Sequence, residues 1–320
     1  MADIRLQIKR KGSPPNSDWR VVLSRLDGAY SDNTLRSYRA DTQVFVDWCG
    51  ANNRVAFPAT PATLSEFVET QSKVCSSSTL RRRLAALRKI HRLMGFNNPA
   101  EDEEVLIACR RAFRKNPSRP RQALGLNEPL KDQLLRACPD DLRGARDRAL
   151  IATGYDTLCR RSELVALQVE DIQKHAYGGA QVLVRRSKND PYGNGRTAYL
   201  SEQTLLLINN WLKISKVTRG PIFRSVRGTY VSKQGLYPDS VNRVLKRVAE
   251  NAGCPRQMIE NLSGHSMRIG AAQDMITDGM SLLPIMRAGG WRTVSVVARY
   301  TENADIMTIM KSRRPPSDRR

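Results

Sequence analysis

The chain has 320 residues, 53 of them Lys or Arg against 31 Asp or Glu, for a formal net charge of +22. Its 40% hydrophobic content is enough for folded cores, which excludes a disordered polycation, and its length suits two domains. No run of about eighteen apolar residues occurs and no apolar segment follows the charges of the N-terminal MADIRLQIKRKGSPPNSD, so the sequence predicts neither a membrane span nor a secretory signal, and a cytoplasmic location is expected.

The six cysteines and three histidines are scattered without metal-ligand spacing, and no glycine-rich phosphate loop is present. No metal, nucleotide or other cofactor is therefore expected, and no small-molecule ligand. Up to residue 118 the chain carries 20 basic and 12 acidic residues, and beyond it 33 and 19. Excess charge on both halves points to a polyanion held between or around two folded units rather than tethered by a tail.

Residues 1–18 carry no apolar periodicity and are expected to be a disordered tail. From 19 to 116 the chain predicts a helical domain. Ser31 or Asp32 caps a helix with Leu35, Tyr38, Phe45 and Trp48 on one face, and a second helix starts at Thr60-Pro61, with proline at its first position. A third follows Ser76-Ser77-Ser78. It aligns Leu80, Leu84, Leu87 and His91 on one stripe, while Arg81, Arg82, Arg83, Arg88, Lys89 and Arg92 cover much of the rest. With no acid on that helix to pair with, the charge asks for an outside anion, and the six basic residues are candidate DNA contacts. A fourth helix, EDEEVLIACRRAFRKN, places acids and bases to suit the macrodipole.

KNPSRPRQALGLN, residues 115–127, holds two prolines and a glycine without periodicity and predicts a linker over 117–127. Beyond it, helices are expected from Leu130 to Cys138, Leu142 to Thr153, Leu205 to Trp211 and Ser240 to Ala252. The strands QVLVRRS and RTAYLS form a hairpin with Lys188 at the start of its turn. NADIMTIMK near the end has the spacing of a short amphipathic helix, ahead of a disordered RRPPSDRR. The expected fold is mainly α with a small β-sheet, in two domains, the second over 128–320.

Four separated segments hold residues that packing alone does not explain: Arg160 with Glu163, Lys188, SGHSMRIGAAQDM with His265 and Arg268, and AGGWRTVSVVARYTEN with Trp291 and Tyr300. Singly, each has an ordinary structural explanation. In this order the chain resembles the tyrosine recombinase (phage integrase) family, in its Cre-like branch, over nearly its whole length, and GHSMRIGAAQDM, AGGW and the step from Trp291 to Tyr300 are the most specific parts.

The resemblance implies a two-domain C-shaped clamp, with a core-binding, SAM-like first domain and a catalytic second domain, and a phosphoryl transfer without metal or ATP. Arg160 and Arg268 would then face the phosphate oxygens. Permanent, fork-shaped cations suit charge that develops on nonbridging oxygens. His265 and Trp291 would donate to the same phosphate, Lys188 would protonate the leaving 5′-oxygen, Glu163 would orient an Arg, His or Lys, and Tyr300 would attack. A phenol attacks poorly at neutral pH, and nearby arginines favour its phenolate. A 3′-phosphotyrosyl link would store the bond energy until another strand's 5′-hydroxyl reseals it through a Holliday junction. The partners implied are double-stranded DNA with inverted-repeat half-sites and three further copies of the chain, in a homotetramer joined by exchange of the C-terminal helix. An integrase or resolvase needing accessory proteins, a relaxing topoisomerase and a non-catalytic DNA-binding module are the alternatives.

Overall fold

The computed structural model describes residues 18–115, 122–176, 178–187 and 193–301. They fall into two units, split between Arg121 and Gln122. No helix among them is long and apolar enough to cross a membrane.

The first unit is helical: α1 (Trp19–Ser24), α2 (Asp32–Ala51), α3 (Pro61–Ser72), α4 (Ser77–Met94) and α5 (Glu103–Lys115). The starts follow the sequence signals. Ser31, Thr60 and Ser76 each accept a backbone N–H with their side-chain oxygens, and Pro61 opens α3. Gly95 ends α4 in the left-handed region at φ +82°, which costs glycine nothing. The apolar faces meet around Phe45, Leu64, Phe67, Leu80 and Leu87, with the Phe45 and Phe67 rings edge to face at 4.9 Å. His91 is buried among them: its Nδ1 donates to the Leu87 carbonyl and its Nε2 accepts from the Ala59 amide. Residues 1–17 lie outside the described residues, but Asp18, expected in the disordered tail, caps α1 by accepting from the Arg20 amide.

The second unit comprises α6 (Glu128–Ala137), α7 (Leu142–Thr157), α8 (Arg161–Ala166), β1 (Ile172–Lys174), β2 (Ala180–Val184), β3 (Arg196–Leu200), α9 (Glu202–Ser215), β4 (Arg224–Arg227), β5 (Tyr230–Gly235), α10 (Pro238–Asn251), α11 (Arg256–Asn261), α12 (Ser266–Thr277), α13 (Leu282–Gly289) and α14 (Val294–Thr301). The predicted hairpin is present as β2–β3, antiparallel from Ala180 opposite Leu200 to Val184 opposite Arg196. Two features differ from expectation. β1 adds a third strand beside β2, and β4–β5 form a separate two-stranded sheet in a stretch that carries no clear alternation.

Of the linker expected over 117–127, residues 117–121 lie outside the described residues. Leu124 and Leu126 donate their amides to the carbonyls of Asn261 and Ser266, and Leu126 is fully buried. Residues 122–127 thus pack as part of the second unit. The reason lies in GHSMRIGAA: a Cβ at Gly270 would overlap the Leu126 carbonyl, so only glycine lets this segment lie on α12. Most of α7 is buried, including an Arg146–Asp147 pair 2.6 Å apart, which Arg247 joins from α10.

Candidate active site

α7 ends at Leu158, a fully buried residue in the left-handed region at φ +50°. Such a backbone is costly for a side chain with a Cβ and recurs where geometry is set for function. Here the Leu158 carbonyl accepts a hydrogen bond from Arg268 Nη1. Two residues later Arg160 opens α8, and Glu163 reaches back to accept from the Arg160 backbone N–H at 3.0 Å and from its Nη1 at 2.7 Å. The three-residue step is therefore a helix cap and an ion pair at once. Burial raises the Glu163 carboxyl, but the bonds from Arg160 outweigh it and hold the group below the ordinary carboxylate range.

Arg268 lies on α12 with no exposed surface, and its Cζ sits 4.1 Å over the Trp291 ring. Its Nε and Nη2 and the indole Nε1 of Trp291 are buried without a hydrogen-bond partner among the described residues. Burial first, then repulsion from Arg160, brings Arg268 down to about 10, so it remains a cation at neutral pH. A buried cation with two unmet donors costs free energy unless an acceptor, best an anion, meets them. His265 precedes α12. Burial, then the fields of Arg268 and Arg160, push it down to about 4 against the pull of Glu163, so its ring is neutral at pH 7. Its Nε2 stands 2.6 Å from the Tyr300 hydroxyl.

AGGW has a local explanation. A Cβ at Gly289 would overlap the Trp291 ring, and Gly290 ends α13 in the left-handed region at φ +63°. The Trp291 ring also meets that of Tyr300, with centroids 5.5 Å apart. Arg160, Glu163, His265, Arg268, Trp291 and Tyr300 thus converge through direct contacts or electrostatic reach. Lys188 lies outside the described residues, as does the C-terminal stretch with Ile306, Met307, Ile309 and Met310.

Arg196 belongs to this cluster although the motif order does not mark it. Its Nη2 approaches Glu163 at 3.7 Å and donates to the Thr157 carbonyl, while Nη1 donates to that of Ala288. It ties the end of α7, α8 and α13 together. A signal was present: in RTAYL, Arg196 shares the inward face of β3 with the buried Ala198 and Leu200.

In the first unit, the acids that α4 lacks come from its neighbours. Buried Asp41 on α2 pairs with Arg82 at 2.9 Å and Arg83 at 3.7 Å, and Glu101 pairs with Arg92 at 2.7 Å. Arg81 stacks on Phe113 and Lys89 on Tyr30. Arg88 is exposed, with Glu101 within electrostatic reach.

The phage integrase family model matches residues 126–306, and that of the phage integrase N-terminal SAM-like domain matches 25–94. The chain is 28% identical over 301 residues to the Cre recombinase of Escherichia phage P1, covering 88% of this chain and 87% of that one. It is 30% identical over 299 residues to an integrase/recombinase XerD homologue of Selenomonas ruminantium, covering 88% and 85%. Among solved structures, the lambda integrase dimer bound to a core site matches with a TM-score of 0.61 at 15% identity, over 90% of this chain and 95% of that one. The Tn1549 transposon integrase in complex with transposon right end DNA matches at 0.63 and 13%, over 92% and 98%. These two establish likeness of fold. Matched by the family model over more than half its length and 30% identical to a relative along most of it, the chain belongs to the phage integrase family and is a tyrosine-type site-specific DNA recombinase.

Proposed function

We propose that Tyr300 is the nucleophile of this recombinase, and that Arg160, Arg268, His265 and Trp291 form the pocket for the phosphate it attacks. The observation that carries this reading is the 2.6 Å contact between the Tyr300 hydroxyl and a neutral His265 beside a buried guanidinium with unmet donors. The phenol donates to His265 Nε2, which takes its proton as the oxygen attacks phosphorus. Negative charge grows on the nonbridging oxygens, and the two arginines meet it with fixed cationic donors that need no reorganisation. The Trp291 indole N–H adds a neutral donor. Lys188 supplies the proton to the departing 5′-oxygen, and Glu163, with Arg196 behind it, holds Arg160 in place.

The product is a 3′-phosphotyrosyl link. Attack by another strand's 5′-hydroxyl reverses the step, and two such exchanges pass through a Holliday junction. The substrate is duplex DNA with inverted half-sites. Residues of 19–116 hold the site, 128–320 carry the chemistry, and four protomers assemble by exchange of the segment after Tyr300.

The Tyr300→Phe protein tests the reading. It should select a binding site from random duplexes, yet form no covalent adduct on a nicked suicide duplex carrying that site, where the unsubstituted chain does. A covalent adduct from Tyr300→Phe removes the nucleophile assignment.

A further inference from the structure

Tyr300 is held at two points. Its phenol meets His265, and its backbone carbonyl accepts hydrogen bonds from Gln273 Nε2 at 3.0 Å and Gln122 Nε2 at 3.5 Å. Neither bond belongs to the backbone ladder of α14. Tyr300 stands in the last turn of α14, where a helix leaves its carbonyls without partners of its own, so side-chain amides can meet this one and tether the helix laterally.

α14 has need of a tether. It is eight residues long, with Val297 fully buried but Val294 and Val296 exposed, so apolar packing grips it on a narrow stripe. Gln273 is well placed to hold it. It stands on α12, the helix that also carries Arg268, and its carboxamide lies so close to Gly125 that a Cβ there would overlap Gln273 Oε1. Gly125 in turn sits between Leu124 and Leu126, both bonded to the backbone around α11 and α12. Gln122 opens this same segment, at the point where the chain enters the second unit.

We propose that Gln273, assisted by Gln122, is a positioning residue for the reaction: its amide fixes α14 against α12 so that the Tyr300 oxygen reaches the phosphate held by Arg268. The proposal rests on the reading of Tyr300 as the nucleophile. Because attack demands reacting atoms held in near-attack geometry, a displacement of about 1 Å costs roughly a hundredfold in rate without touching affinity. The entering segment and the nucleophile are thereby coupled through two glutamines.

The test compares single-turnover covalent cleavage of the nicked duplex, the Kd for that duplex and thermal unfolding across Gln273→Met, Gln273→Lys and Gln122→Met. Gln273→Met should cleave roughly tenfold to a hundredfold slower, with Kd within about twofold of the unsubstituted protein. Gln273→Lys keeps an N–H donor and should recover most of the rate, and Gln122→Met should slow cleavage about threefold, as suits its longer contact. Cleavage by Gln273→Met at the full rate, a loss matched by weaker binding, or no recovery with lysine overturns the proposal. If Gln273→Met does not fold, Gln122→Met decides, and its cleavage at the full rate overturns the tether. A covalent adduct from Tyr300→Phe, or none from the unsubstituted chain, refutes instead the reading on which the proposal rests.

Discussion

The guanidinium of Arg268 lies 4.1 Å over the Trp291 ring, and each partner keeps a buried N–H donor that nothing among the described residues accepts. The ring supports the cation, and under the proposed function the donors of both serve one phosphate. Trp291→Phe keeps the stack but loses the indole donor, so cleavage should fall about tenfold with little change in unfolding temperature. Trp291→Ala loses stack and volume together and should destabilise the second unit by about 3 kcal/mol. Calorimetry beside single-turnover cleavage separates the two. Equal rates for Phe and Ala would place no weight on the stack.

Glu163 lies between two arginines. Glu163→Ala leaves Arg160 and Arg196 without their shared carboxylate and removes the acceptor for the Arg160 amide. Breaking one side of a buried ion pair costs about 3 kcal/mol, so both stability and cleavage should fall. Glu163→Gln keeps an acceptor oxygen and should lose less of each. Arg196→Met should lower cleavage with DNA affinity nearly unchanged, since Arg196 acts through Glu163.

Acid should destabilise both units. His265 sits near 4 in the folded chain, mainly through burial, and burial also holds His91 below the ordinary 6.5 despite its bond to Leu87. The unfolded chain takes up protons below 6.5 where the folded one resists. Stability present above pH 6.5 is therefore lost as pH falls toward 4, beyond which His265 adds no further loss. Unfolding temperatures across this range should decline less steeply in His265→Gln and in His91→Gln than in the unsubstituted protein. Equal slopes would show that other groups drive the acid response.

On α4, two arginines should behave differently. Arg82 pairs with buried Asp41, so Arg82→Ala should cost about 1 kcal/mol of stability in the first unit, the pair being half-exposed on the arginine side. Arg88→Ala should leave stability intact and weaken binding across all sequences, with a shallower salt slope. Titrations of DNA binding at several salt concentrations, alongside thermal unfolding, check both.

Much of the fold was legible because its signals are local. Ser31, Thr60 and Ser76 start helices where the sequence places them, and β2 and β3 pair as the alternation of QVLVRRS and RTAYLS implies. β4 and β5 were not legible, because their exposed, charged residues give no apolar alternation. Nor was the end of the linker: Leu124 and Leu126 look like loop residues until Gly270 offers them a surface.

Residue types and their order along the chain determined the family and the candidate residues of the site, since Arg, His, Trp and Tyr carry their chemistry wherever they stand. Only the tertiary structure decided what each one faces. It brings His265 to Tyr300 across α12 and α14, gives Glu163 to Arg160 and Arg196, and lends Asp41 to arginines that looked unpaired on their own helix. Hydrogen bonds and ion pairs reach only a few ångströms, so partners distant in sequence stay invisible until packing closes the gap.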